Sequence, residues 1–398
     1  MIPDLDSQIG INVYSTSFDG IGGKIRNSPE DFEVSEVISE KIKNSINSEG
    51  DYAVYKLQKR KIDTNHALSD IFRKKGLRVK SLGLKDASAV TQQYVCAGNK
   101  GKQIEDFSSE KYSLSHIGFV KKPLSKKDMI GNHFKIVIQN CKDGISSFTE
   151  HDKILNFYGY QRFGSKRPVT HLIGKAIVQK NFKKAVDLIL SFTSIYDSKE
   201  NTEIREKLAD KANYSKYVED VPYQMDIERI VLKEMIEHDD YFKAVKSIPL
   251  SLRRFYVQAY QSYLFNCSLS SAFSEGENLF EAESGDVCFD FHGKIGKFVK
   301  GLDQNLALPF VGYSYYKKTR FDFYISKILA QEEISPKDFF IKEMQEVSSE
   351  GGFRQAAIHC TDYTSQNNSV EFTLSRGSFA TILLREIMKP CDPMSAGF

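Results

Sequence analysis

Residues 83–98, GLKDASAVTQQYVCAG, place an aspartate, Asp86, directly after a lysine and just before a strand-like run. An ionised carboxylate can act as a nucleophile, although aspartate in such a turn also commonly closes the turn or caps a helix. Arg26, in the segment GGKIRNSPEDFEVSE, adds a guanidinium that could keep a nearby carboxylate ionised, and Phe32 could put a ring into the same site. These residue types predict carboxylate chemistry if the fold brings them together.

Strands and one helix are predicted around these residues. The segments DFEVSEVI, with Phe32 and Val34 on one face, and DYAVYKL alternate as strands do, and we expect them to be neighbours in a sheet. In DTNHALSDIFRKKG, Asp63 or Thr64 can cap a helix that ends at Gly76. The turn that contains Asp86 then leads into a further strand, so the sequence predicts a helix laid across a sheet.

The order of patterns along the chain predicts an α+β fold with two lobes. Residues 132–140, NHFKIVIQN, alternate as a strand, whereas the later segments THLIGKAIVQKNFKKAVDLILSF and LRRFYVQAYQSYLFNCSLSSAF have helical periodicity. Strand-like sequence returns after residues 351–352 and is followed by the helical segment GSFATILLREIMK. We therefore expect residues 1–154 and 351–398 to form one sheet domain, interrupted by a mostly helical lobe over 155–350.

Composition indicates a folded, non-exported chain. The 398 residues carry a formal charge of only +3, and no apolar run is long enough to span a membrane. The six cysteines form no CxxC pair and the histidines show no HExxH spacing, so we expect no metal site and a reducing, cytoplasmic compartment. Cations are nevertheless clustered: residues 56–85 hold ten Lys and Arg against two acids, and 121–127 and 161–175 are also basic. Each cluster fits either a solvated face or contacts to phosphates.

Six segments, in order, carry a resemblance to a known family. They are PEDFEVSE (29–36, after Arg26), GLKDASAVTQQ (83–93), GNHF (131–134), NFYGYQRFG (156–164), AYQSYLFN (259–266) and GSFATILLRE (377–386). Together they resemble the TruD-type pseudouridine synthases over nearly the whole chain. The resemblance implies a pseudouridine-synthase-like catalytic domain, with a mixed or antiparallel sheet, and an inserted, mostly helical TRUD-type lobe.

The resemblance also implies an activity and its residues. It implies a cofactor-free isomerisation of a uridine in tRNA to pseudouridine, at position 13 of the D arm in the family's usual case, with Asp86 as nucleophile. Arg26 is its basic partner, at a position where many bacterial relatives have lysine. The base-binding residues it implies are Phe32, Lys85, Asn132 and Phe134. From the residues alone, Phe134 also fits the apolar face of its strand, and Asn132 could simply close a turn.

The resemblance implies tRNA as the only partner, and we expect the chain to be a monomer. Ten cations are predicted to contact the RNA. They are Lys59, Lys61, Arg73, Lys74, Lys75, Arg78, Lys80, Arg162, Lys166 and Arg167. Tyr158, Tyr160 and Phe163 could stack on unpaired bases or pack the two lobes together. The competing hypotheses are an RNA-binding or RNA-folding protein with incidental or no catalysis, and a synthase with a different or broader RNA target. Asp86 and Arg26 favour catalysis, because a carboxylate in a cleft that binds RNA repels phosphate.

Overall fold

The computed structural model of the chain describes residues 1–85, 87–99, 106–290 and 293–398. The strands are β1 Phe32–Ile38, β2 Tyr52–Lys59, β3 Lys80–Ser81, β4 Val90–Gly98, β5 Phe107–Ser108, β6 Tyr112–Val120, β7 Met129–Val137, β8 Val287–Asp290, β9 Ile295–Lys297, β10 Gln304–Phe310, β11 Gly352–Gln355, β12 Cys360–Gln366 and β13 Ser369–Ser375. The helices are α1 Asp4–Gln8, α2 Glu40–Lys43, α3 Thr64–Lys75, α4 Thr170–Val178, α5 Phe182–Ser191, α6 Lys199–Lys207, α7 Tyr214–Tyr217, α8 Asp226–His238, α9 Tyr241–Ser247, α10 Leu250–Ser274, α11 Asp322–Gln331 and α12 Ala380–Met388. The α+β fold class is confirmed.

Within the described residues, nine strands form the larger sheet, in the order β12-β13-β7-β1-β4-β2-β6-β5, with β3 paired to β4. The prediction that β1 and β2 are neighbours is wrong, because β4 lies between them. β4 runs parallel to β1 and antiparallel to β2. Most of the residues of β4 are buried, as expected of a central strand.

Helix α3 begins and ends where the sequence predicts. The Asp63 side chain caps it by accepting a hydrogen bond from the backbone N–H of His66, and Gly76 ends it in the left-handed conformation with φ of 63°. Ala67 and Ile71 are buried in a core cluster that includes Tyr55 of β2. The helix therefore lies on the larger sheet, with its cationic last turn exposed to solvent.

The second lobe is mostly helical, with a small sheet of order β11-β10-β8-β9. Its longest helix, α10, packs closely on α4: a Cβ added at Gly174 would lie 2.0 Å from the carbonyl oxygen of Tyr256. β11 pairs with β10, so residues 352–355 belong to this small sheet. The chain re-enters the larger sheet at β12, and the division into domains at residue 351 stays a prediction.

A fully buried ion cluster joins α12 to the start of the chain. The Nε of Arg385 donates to Asp6 Oδ2 at 2.5 Å, and its Nη1 lies 3.1 Å from Glu386 Oε1. The hydroxyl of Tyr160 donates to the same aspartate at 2.7 Å, and that of Thr16 donates to Glu386 at 2.8 Å. Burial alone would lower the pKa of the Arg385 guanidinium, but the two carboxylates raise it.

We predict that Asp6→Asn lowers the free energy of unfolding by about 3 to 5 kcal/mol, because it leaves the buried guanidinium with one carboxylate fewer. Urea unfolding followed by circular dichroism measures this change. Asp187→Asn is the control, since Asp187 forms an ion pair with Lys183 on the surface of α5 and its loss should leave the unfolding midpoint nearly unchanged. Equal losses in both variants would contradict a dominant role for the buried cluster.

Candidate active site

A cleft of about 250 Å³ opens between the larger sheet and the start of α12. β1, β4 and β7 are adjacent in the sheet and contribute to its wall, and the segment before α12 contributes another part. Its lining residues are Arg26, Phe32, Val34, Leu84, Lys85, Ala89, Thr91, Asn132, Phe134, Gln161, Ser378, Phe379, Ala380 and Thr381. All five of the predicted catalytic and base-binding residues that the structure describes are therefore brought together.

Arg26 is held in an unusual backbone conformation at the edge of the cleft. Its φ is 56°, in the left-handed region that costs a non-glycine residue about 1 to 3 kcal/mol. The preceding backbone N–H, of Ile25, donates to Ala396 O at 2.9 Å, and Arg26 Nη1 donates to Gly397 O at 3.0 Å. Its guanidinium carbon lies 4.2 Å from the ring centroid of Phe32. The cation and the ring thus form one unit in the wall of the cleft.

Lys85 and Asn132 also form a unit. The Lys85 ammonium donates to Asn132 Oδ1 at 2.6 Å and lies 3.2 Å from Glu36 Oε1. Glu36 is buried, and its other carboxylate oxygen accepts the backbone N–H of Tyr94. Burial raises the pKa of the Glu36 carboxyl, which the charge of Lys85 offsets only in part. The lysine is therefore fixed by two partners beneath the cleft.

The backbone of residues 83–85 is braced by side chains from α3, β2 and β4. Thr64 accepts the backbone N–H of Lys85 at 2.9 Å and donates to Gln93 Oε1 at 2.9 Å. The amide of Gln93 donates to Gly83 O at 3.2 Å. The ammonium of Lys59 donates to the carbonyl of Lys85 at 3.0 Å. Asp86 lies outside the described residues, but the segment that leads to it in the chain is held by three buried side chains.

Phe134 sits in an aromatic cluster. Its ring lies 5.4 Å from that of Phe372 in a stacked arrangement and 6.2 Å, edge to face, from that of Phe32. Only 7% of Phe134 is exposed, because β13 and β1 flank its strand. The ring is thus part of the core and of the cleft wall at once.

Several lining residues carry no role in the sequence prediction. Gln161 and the segment 378–381 lie in two of the six segments that resemble the family, but the sequence predicts no chemical role for them. Thr91 follows Asp86 in a third such segment. A polar side chain inside a motif is the signal that could have identified Gln161 and Thr381. Leu84 is 68% exposed although it lines the cleft, and only the structure places it there.

The predicted RNA-binding cations divide into two groups. Seven are exposed, namely Lys61, Arg73, Lys74, Lys75, Arg78, Lys80 and Lys166. The predictions for Lys59 and Arg167 need correction. Lys59 is 1% exposed and bonded to backbone carbonyls, and Arg167 pairs with Glu228 while donating to the carbonyls of Leu188, Ile189 and Phe192. Lys59 is therefore too deeply buried to contact a phosphate, and the guanidinium of Arg167, whose side chain is 17% exposed, is occupied by partners within the protein.

Arg162 is partly buried, with its guanidinium carbon 5.4 Å from the ring centroid of Tyr158 and 5.2 Å from that of Phe255. Burial lowers the pKa of this guanidinium. Tyr160 and Phe163, in the same segment, are buried in the core, so of the two predicted alternatives they take the packing one.

With this geometry in place, comparison with known proteins decides the family. The family model described as tRNA pseudouridine synthase D (TruD) matches residues 8–387. The chain belongs to the TruD family. A Pyrobaculum islandicum relative named "Probable tRNA pseudouridine synthase D" is 30% identical over 416 residues, covering 100% of this chain and 99% of its own. A relative of the same name from Methanosarcina acetivorans is 31% identical over 446 residues, covering 99% and 98%.

A solved structure agrees with this membership. The crystal structure of a protein assigned as TruD from Methanosarcina mazei superposes with a TM-score of 0.81 at 28% identity, covering 99% of both chains. The chain is thus a TruD-family tRNA pseudouridine synthase, an isomerase.

Among the described residues, no group of side chains has the composition and spacing of a metal site. No helix in that part of the chain combines the length and the apolar character that crossing a membrane requires.

We predict that Thr64→Val slows turnover on tRNA about 10-fold or more while tRNA affinity changes by less than about 3-fold, because the brace on residues 83–85 is lost. Single-turnover rates and filter binding separate the two effects. Ser270→Ala is the control, since its buried hydroxyl likewise accepts a backbone N–H, that of Asn12, and donates to a carbonyl, that of Gly10. A control variant that slows turnover equally would show that general destabilisation is responsible.

Proposed function

We propose that the chain isomerises a uridine in tRNA to pseudouridine, in the D arm at position 13, with Asp86 as the nucleophile. The observation that carries the proposal is the cleft itself. It gathers Arg26, Phe32, Lys85, Asn132 and Phe134, and Lys85 immediately precedes Asp86 in the chain. Relatives over the full length are named as tRNA pseudouridine synthases, which supports tRNA as the substrate.

The chemistry explains why a carboxylate suits the task. The bond from ribose C1′ to uracil N1 breaks with its electron pair going to the base, and C1′ then bonds to C5 of the rotated uracil. The proton on C5 leaves and N1 gains one, so substrate and product contain the same atoms and electrons. A carboxylate can attack either the ribose or the base and can leave again. It can therefore form a transient covalent bond with either part of the nucleotide.

The cations of the cleft have two tasks in this scheme. Arg26 keeps the nucleophile ionised, since a guanidinium remains charged at every relevant pH. Lys85 is paired with Glu36 and holds the amide of Asn132. The amide is thereby kept in one orientation toward the base. Phe134 offers a ring edge or face for the uracil, a contact that tolerates rotation of the base within its plane.

The exposed cations on and after α3 contact the phosphates of the RNA. Taking a uridine out of its stack costs a few kcal/mol, which contacts to phosphates offset. Arg73, Lys75, Arg78 and Lys80 all project from the solvent side of this region. Lys75 lies over the ring of Phe107 and Arg78 over that of Phe72, which orients both charges without neutralising them.

We predict that Asp86→Asn abolishes the release of tritium from tRNA transcripts labelled at uracil C5, by roughly 1000-fold or more in rate, because the amide cannot form the transient bond. The affinity for tRNA should stay within about 3-fold of the unaltered protein. Asp303→Asn, at an exposed loop position of the second lobe, is the control and should release tritium normally.

Full release by the Asp86→Asn variant would remove Asp86 from the mechanism. Absence of release by the unaltered protein, with tRNA binding intact, would favour an RNA-binding or RNA-folding protein or a different RNA target. Primer extension across the modified tRNA then identifies the uridine, and modification outside position 13 would contradict that part of the proposal.

We predict that replacing Arg73, Lys75, Arg78 and Lys80 together by glutamine weakens tRNA binding and lowers the slope of log affinity against log salt by roughly 3 to 4. The control removes the same charge elsewhere on the surface, at the exposed residues Lys199, Lys327, Lys337 and Lys342. Filter binding at several salt concentrations measures both slopes. An equal change in both variants would show that α3 makes no particular contact with the RNA.

A further inference from the structure

Three polar atoms at the cleft have no hydrogen-bond partner among the described residues. They are the hydroxyl oxygens of Thr91 and Thr381 and the amide oxygen of Gln161. Thr91 is 1% exposed and Thr381 3%, so bulk water does not reach them freely. Leaving a buried polar atom unpaired costs about 1 to 3 kcal/mol, and a catalytic role is one of the reasons for which native proteins keep such an atom.

Thr381 lies in the first turn of α12, whose start faces the cleft. Ser378, Phe379, Ala380 and Thr381 all line the cleft. Phe379 precedes the helix in an extended conformation, and no described side chain caps the helix. The N-terminal N–H groups and the helix dipole therefore give this wall of the cleft a positive potential.

The Thr381 hydroxyl and the Gln161 amide oxygen both lie next to Gly159. A Cβ added at Gly159 would lie 2.9 Å from Thr381 Oγ1 and 3.3 Å from Gln161 Oε1. The first contact is closer than real Cβ atoms tolerate, so only glycine leaves the two polar groups undisturbed at this position. The charged residues in the described lining are Arg26 and Lys85, both cations. The cations of the described lining thus favour an anion, and one wall adds an unpaired hydroxyl that can donate and an unpaired amide oxygen that can accept.

We propose that Thr381, Gln161 and the start of α12 bind the detached uracil, and that the Thr381 hydroxyl and the N–H groups at the start of α12 stabilise its negative charge. This proposal rests on the function proposed above. When the C1′–N1 bond breaks, its electron pair stays on the uracil and is shared among N1, O2 and O4 until C5 bonds to C1′. The Thr381 hydroxyl donates to one of the carbonyl oxygens, and the Gln161 amide oxygen accepts the N3–H on the same edge of the base. Donors aimed at charge that develops during a reaction accelerate it far more than they tighten binding.

The first test replaces the hydroxyl without changing the shape of the side chain. Thr381→Val should slow single-turnover tritium release about 100-fold, while tRNA affinity stays within about 3-fold. Thr381→Ser, which keeps the hydroxyl, should stay within about 5-fold of the unaltered protein. Because the hydroxyl has no described partner, Thr381→Val should unfold at an equal or higher temperature. A loss of thermal stability together with the slower rate would indicate a structural role instead.

The second test changes the charge next to the base. Gln161→Met removes the amide at nearly the same size, and Gln161→Glu keeps the shape but adds a negative charge. If the site holds an anion, the rates should fall in the order unaltered protein, methionine variant, glutamate variant. The glutamate variant should recover toward the methionine variant as the pH falls through the pKa of the new carboxyl. Equal rates in the two variants at every pH would contradict the proposal.

Thr319→Val is the matched control, because the Thr319 hydroxyl is also buried without a described partner but is not among the cleft residues. It should release tritium at the unaltered rate. Absence of release by the unaltered protein would overturn the function proposed above. Normal release by both the unaltered protein and Thr381→Val would overturn this inference alone.

Discussion

The buried contact between Arg385 and Asp6 is the constraint on which the positions of the cleft walls depend. A guanidinium with no exposed surface can exist only if carboxylates surround it, and here they come from α1 and from the next residue of α12. The same aspartate accepts from Tyr160, which neighbours Gln161 in the chain. One buried charge thus ties together α1, the turn that carries Gln161 and the helix that begins at the cleft.

A second set of buried polar groups fixes the other wall. Lys59 and Thr64 lie in the interior and bond to the backbone of Lys85, and Gln93 bonds to that of Gly83. Lys59 uses its charge to satisfy backbone carbonyls, where an apolar residue would leave them unpaired. The backbone of residues 83–85 is fixed in this way, which suits the positioned nucleophile that is proposed at the next residue in the chain. Burying Lys59, Thr64 and Gln93 costs free energy, and their hydrogen bonds hold the backbone of residues 83–85 in one position.

Local patterns in the sequence predicted local structure well. The cap at Asp63, the end of α3 at Gly76 and the grouping of Arg26, Phe32, Asn132 and Phe134 depend on short-range chemistry or on recognised motifs. The neighbour of β1 could not be predicted this way, because β4 joins the sheet between β1 and β2 after a long connection. The sheet to which β11 belongs could not be predicted for a related reason, since β11 looks like any other strand until its partner β10 is known.

The charged residues show the same limit. Lys59 and Arg167 are indistinguishable from RNA-binding cations by composition, and only burial and their carbonyl partners reveal an internal role. Conversely, the motif that contains Thr381 marks the residue but does not show that its hydroxyl lies at the cleft without a partner among the described residues. Pairing and burial are properties of the tertiary fold, so a single sequence does not report them.

The central claim is that this cleft receives the target uridine, and a structure of the Asp86→Asn protein bound to its tRNA tests it most directly. The account predicts that the target base is turned out of the RNA stack into the cleft, beside Phe134 and Asn132, with the phosphates along α3. A bound tRNA whose target uridine lies elsewhere, with no base of the RNA in the cleft, would contradict the account.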